Sequence, residues 1–109
     1  MSRINTQMLM AVDGLYNKTL GDTDVCVTGQ IVEVYLQDEK LFDKNLHTTT
    51  FSNGEIWTQQ CRNRLQALLP LRYQLKPDWT IYDTVTKKSS YWRDFTIDNL
   101  TLETTGNRR

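Results

Sequence analysis

His47 is the only histidine of this chain, followed at once by three threonines in "HTTT". A lone imidazole can serve as a general base, but that task needs a nucleophile or an orienting carboxylate placed by the surrounding motif. No Ser or Cys lies in a G-x-S-x-G or comparable context. His47 is therefore read as a surface or strand-edge residue. Cys26 and Cys61 stand 21 and 14 residues from His47, without a C-x-x-C or H-x-x-x-H pair, so the spacing supports no zinc site. The five glycines, at positions 14, 21, 29, 54 and 106, are scattered. No loop can turn several N–H groups on a phosphate, which excludes a P-loop or a Rossmann turn. The carboxylate pairs Asp22/Asp24, Asp38/Glu39 and Asp94/Asp98 are spaced like solvated charges. The sequence thus argues against an enzyme and implies no cofactor and no metal.

One stretch does concentrate recognition chemistry. "LKPDWTIYDTVTKKSSYWRDFTID", residues 75–98, holds two of the three Trp and two of the five Tyr, with Lys87-Lys88 at its expected apex. Single-strand nucleic-acid binders lay bases on aromatic faces beside a basic groove, and Tyr82, Tyr91, Trp92, Lys87, Lys88 and Arg93 supply both components. Asp78, Asp83, Asp94 and Asp98 interrupt the same segment and limit how many phosphates it can neutralise, which disfavours nucleic acid. The competing reading is a hairpin over 79–97 that packs a core. Strand parity turns Trp79, Ile81, Phe95 and Ile97 inward and leaves Trp92, Asp94, Thr96 and Asp98 outside. A Trp among charges is either a protein-interface anchor or an ordinary partly buried residue, and Trp92, with Tyr91, Arg93, Lys87 and Lys88, is the predicted interaction site.

The elements that must position this site follow from periodicity. In "INTQMLMAVDGLYNKTLGD", Leu9, Val12, Tyr16 and Leu20 fall on one helical face, with Asn5 or Thr6 as cap and Gly21 as stop. "DVCVTGQIVEVYL" reads as one long strand whose inward parity changes at Thr28-Gly29-Gln30, which predicts a bulge at Gly29. Residues 37–50 read as a long polar loop, running into a short strand at 46–51. Asn53-Gly54 signals a hairpin, yet Ser52-x-x-Glu55 is a capping box and Trp57, Cys61, Leu65 and Leu68 recur at helical intervals. A helix over about 53–69, stopped by Pro70, is the better choice of the two. Strands follow at 71–75, 79–84 and 91–103, with Asp98-Asn99 as a second candidate bulge and residues 104–109 as a frayed tail. The expected fold is α+β: an antiparallel sheet or partly closed barrel of about four or five strands with two helices.

At 109 residues, with 39% hydrophobic and 24% charged residues, the chain is expected to form a single domain over 1–109. No run approaches the roughly 20 apolar residues of a membrane span and no signal peptide is evident. A cytoplasmic, unsecreted protein is expected, with both cysteines free and buried. Charge is balanced overall but divided along the chain. Residues 1–60 carry four Lys and Arg against eight Asp and Glu, a net of −4; residues 61–109 carry nine against five, a net of +4. Such halves can complement each other between copies, and a head-to-tail contact of that kind closes into a ring; the plainer reading, which the sequence favours, is a mixed solvated surface.

"LKPDWTIYDTVTKKSSYWRDFTIDNL" resembles the C-terminal region of the small head–tail connector proteins of tailed bacteriophages. There a turn carrying Asp leads into a short strand, a tight turn and a strand with an aromatic four residues before a hydrophobic. Asp78, Ile81, Tyr91 or Trp92, and Phe95 with Ile97 fill those places. Where the family has Gly-Asp this chain has Pro77-Asp78. The N-terminal helix, the polar loop and the basic "GNRR" tail are similar too. The resemblance implies a non-enzymatic subunit of a homo-oligomeric ring, in the host cytoplasm or the virion, whose loops 37–50 and 84–90 reach neighbouring proteins. A small phage-type protein that binds and inhibits a host protein is the alternative from the same source.

Overall fold

The computed structural model describes residues 2–101 and the backbone of 104–105. The elements are α1 (Arg3–Gly14), β1 (Lys18–Leu20), β2 (Thr23–Thr28), β3 (Ile31–Leu36), β4 (Glu39–Lys44), β5 (Thr48–Phe51), α2 (Gln59–Leu68), β6 (Tyr73–Leu75), β7 (Thr80–Asp83), β8 (Lys88–Tyr91), β9 (Phe95–Asp98) and β10 (Thr104–Thr105). They build two antiparallel sheets, a large one in the order β1-β2-β3-β4-β5-β9-β10 and a small one in the order β6-β7-β8. The α+β class is as expected, but the strands outnumber the predicted four or five. The large sheet is open rather than a partly closed barrel, because β1 and β10 lie at opposite edges and do not pair.

The misplaced boundaries have local causes. Ser2, not Asn5 or Thr6, caps α1, accepting from Asn5 N at 3.1 Å. The helix ends where Leu15 turns left-handed (φ 58°) and Tyr16 N donates to Ala11 O at 3.1 Å, so Lys18–Leu20 is freed to pair with β2. Gly29 is not a bulge. It opens a two-residue hairpin turn at φ 62°, with Thr28 opposite Ile31, and the turn itself accounts for the parity change. The predicted loop 37–50 is largely strand: Gln37-Asp38, both left-handed, close a hairpin between β3 and β4. The register there jumps from Tyr35/Lys40 to Val34/Phe42, so Leu41 is the bulged residue, and both it and Phe42 are buried. Asp98-Asn99 holds no bulge either; β9 ends at Asp98, whose carboxylate accepts from Leu100 N and Thr101 N in a turn. Helix α2 is shorter than 53–69, because Thr58 rather than Ser52 caps it, accepting from Cys61 N at 3.2 Å. Ser52 Oγ is engaged elsewhere, with Asp94 and Gly54 N. Of the predicted frayed tail, 104–105 pairs with β9 and 106–109 lie outside the described residues.

Helix α1 packs against β1, β2 and α2, and α2 against β4 and β6, and the buried core of the large sheet includes Val25, Val32, Val34 and Leu36. Burying each such side chain contributes roughly 1.5–3 kcal/mol. Between the helices lies Arg64, buried without a carboxylate among the described residues. Its Nε donates to Thr23 Oγ1 at 3.1 Å and its Nη1 to Asn5 Oδ1 at 2.9 Å, which ties α2 to both α1 and β2. No helix among the described residues is long and apolar enough to cross a membrane.

Candidate interaction surfaces

The predicted hairpin 79–97 divides between two sheets. β7 pairs with β8, but β9 leaves to pair with β5, Phe51 opposite Phe95. Residues 92–94 carry the chain across, and this break resets the parity on which the outward place of Trp92 depended. Trp92 is buried, 6% exposed, not a surface anchor. Its Nε1 has no hydrogen-bond partner among the described residues, and a buried donor left so would cost about 1–3 kcal/mol. Edge-to-face contacts with Trp79 (6.1 Å between centroids) and Phe95 (5.8 Å) offset part of that cost. Lys87, Lys88, Tyr91 and Arg93 are exposed.

All three tryptophans meet. Trp57, exposed and outside α2, stands edge-to-face on Trp79 at 5.0 Å, and Trp79 on Trp92. The chain of rings runs on through Phe95 to Phe51 and Phe42. Trp79 reaches this place from the left-handed region (φ 62°), the third residue of the connection Pro77-Asp78-Trp79. Gly or Asn is usual there, and a bulky residue bears about 1–3 kcal/mol of strain. Sequence spacing put Trp57 on the helix face; only the cap at Thr58 shows it outside.

Asp83 organises the far end of the small sheet. Arg72 grips both carboxylate oxygens, and Val85 N and Thr86 N donate to Oδ1. The guanidinium, helped by these N–H groups, holds the Asp83 carboxyl down at about 2. Beside it opens a cleft of about 340 Å³, lined by Tyr73, Ile81, Asp83, Thr86, Lys88, Ser89 and Ser90.

A second surface lies at the end of the large sheet where β2, β4 and β9 finish. The α1–β1 and β4–β5 connections, the start of β3 and the exit from β9 present exposed apolar side chains: Tyr16, Leu46, Ile31 and Leu100. Leu46 and Leu100 are 71% and 91% exposed, yet their loops are fixed. Asn99 N donates to His47 O at 2.8 Å and Asn99 Nδ2 to Asn45 O at 2.8 Å, while Asn45 Oδ1 accepts from His47 N and Thr48 N. Lys18 and Lys44 flank this end, and neither forms an ion pair among the described residues. The opposite end is polar and acidic, with Asp22, Asp38, Glu39, Glu55 and Asp94 exposed. His47 is exposed, and Cys26 is exposed rather than buried because its strand position faces away from the helices; Cys61 is buried, and both thiols are free. Among the described residues no three His, Cys, Asp or Glu side chains are grouped to hold a metal ion. Compared with protein-family models, with curated proteins and with solved structures, the chain matches none.

Proposed function

We propose that this chain is a non-enzymatic interaction and assembly protein that works as a homo-oligomer, of the kind that forms a connector ring. The observation that carries this reading is the end of the large sheet, where Tyr16, Ile31, Leu46 and Leu100 are held in solvent, the loops of Leu46 and Leu100 on a hydrogen-bonded frame. Ordering those loops costs little on association, since they are already fixed. The acidic opposite end offers Lys18 and Lys44 a complementary surface on a neighbouring copy. Single-strand nucleic-acid binding is less well supported, since Trp92 is buried and Tyr82 lies under Lys76, 5.8 Å from the ring centroid.

If Leu46 and Leu100 are buried in the contact, each contributes about 1.5–3 kcal/mol, so replacing both weakens association by about two to four orders of magnitude. Sedimentation velocity on the wild type and on L46D/L100D tests this. Both side chains are exposed, so the variant retains the fold. An oligomer in the wild type that dissociates in the variant is expected. A wild-type monomer at every concentration would defeat the reading.

A further inference from the structure

The small sheet has two edges, and the chain treats them differently. Along β6, Gln66 of α2 stands in for a neighbouring strand: its Oε1 accepts from Leu75 N at 2.6 Å and its Nε2 donates to Tyr73 O at 3.1 Å. Along β8 nothing does so among the described residues. β8 pairs only with β7, and all four of its residues are exposed. Trp92 N donates to Trp79 O, which marks that pair as bonded; alternation along the register then turns the backbone N–H and C=O of Ser89 and Tyr91 outward. The 340 Å³ cleft opens at this same strand. Its Asp83 carboxylate is held by Arg72, so Lys88, although opposite Asp83 in register, forms no ion pair among the described residues, and neither does Lys87. The free charge of the edge is positive.

We propose that β8 is a docking edge for an extended acidic segment of a partner protein. The segment adds as a fourth strand, bonds to Ser89 and Tyr91, sets its carboxylates against Lys87 and Lys88, and places a small side chain in the cleft. Lysines on a short edge strand repel a second copy of that strand, so the edge rejects its own kind while favouring an acidic one. The proposal rests on the reading that the chain acts through protein partners, but it needs no self-association.

The test is an amide NMR titration of the full chain with acetyl-Thr-Glu-Val-Glu-Val-Glu-Thr-amide and its Lys-for-Glu counterpart. The acidic peptide is expected to shift and protect the Ser89 and Tyr91 amides, the basic one to leave them unchanged. In K87E/K88E, whose two sites are exposed, affinity for the acidic peptide is expected to fall at least tenfold and the basic peptide to bind instead. N-methylation of alternate peptide residues should abolish binding in both cases. Absence of any shift at Ser89 and Tyr91 at millimolar acidic peptide overturns the proposal, as does binding that the charge reversal does not alter. Sedimentation of the same samples separates the two readings, because a monomer that binds the peptide defeats assembly alone, and an oligomer that ignores it defeats the docking edge alone.

Discussion

Replacing Asp83 by Asn separates two roles of one carboxylate. The amide keeps an oxygen to accept from Val85 N and Thr86 N, so the turn between β7 and β8 survives, but the charge facing Arg72 is lost. In the folded chain the carboxyl is held from its ordinary 3.8 down to about 2, and a shift of that size corresponds to at most about 2.4 kcal/mol. The Arg72 side chain is 33% exposed and that of Asp83 18%, so screening by water and salt reduces the contribution to about 1 kcal/mol. The depressed value fixes the sign: the stabilisation is full above about pH 4 and is lost as pH falls through about 2. Urea unfolding of the wild type and D83N is expected to differ by about 1 kcal/mol at pH 7, a midpoint shift of about 0.5–1 M, and to converge towards pH 2. Adding R72Q and the double variant should return a coupling of similar size. A difference that persists unchanged at pH 2, or no difference at pH 7 in low salt, would refute the reasoning.

Three further outcomes follow from the packing. R64M should lose about 2–4 kcal/mol in chemical denaturation, because it leaves Asn5 Oδ1 and Thr23 Oγ1 without their buried donor; stability equal to wild type would show that these bonds contribute nothing. A thiol reagent should label Cys26 rapidly in the native protein and Cys61 only after unfolding, since burial pushes the Cys61 thiol up to about 12; two fast thiols would contradict this. G54A should be more destabilising than G21A in thermal melts, by about 1 kcal/mol or more. Both positions are left-handed, but a Cβ at Gly54 meets Glu39 Cβ at 2.7 Å while one at Gly21 meets open space; equal melting temperatures would count against that contact.

Local chemistry was legible where one element's own residues decide it. An N-terminal helix with Val12 turned inward, the apolar parity of Val32, Val34 and Leu36, and the stop at Pro70 can be read from spacing. The expected face of Leu9, Val12, Tyr16 and Leu20 is not the buried one, since α1 ends at Gly14 and buries Asn5, Met8, Ala11 and Val12. The exposure of Lys87 and Lys88 can be read too, since charged residues in a turn stay in water, whereas Tyr91, which shares the parity of inward Phe95 and Ile97, is exposed because β8 and β9 belong to different sheets. Spacing failed where the partner lies far along the chain. A change of parity looks the same whether a bulge or a turn produces it, and only the pairing of Thr28 with Ile31 identifies Gly29 as a turn. The burial of Trp92 depends on β9 leaving β8 for β5, a contact between residues more than forty apart. The meeting of Trp57 with Trp79 and the four apolar side chains at one end of the large sheet are likewise products of tertiary arrangement. Periodicity reports which face of an element avoids water; which element covers that face, and which edge is left bare, is decided by tertiary pairing.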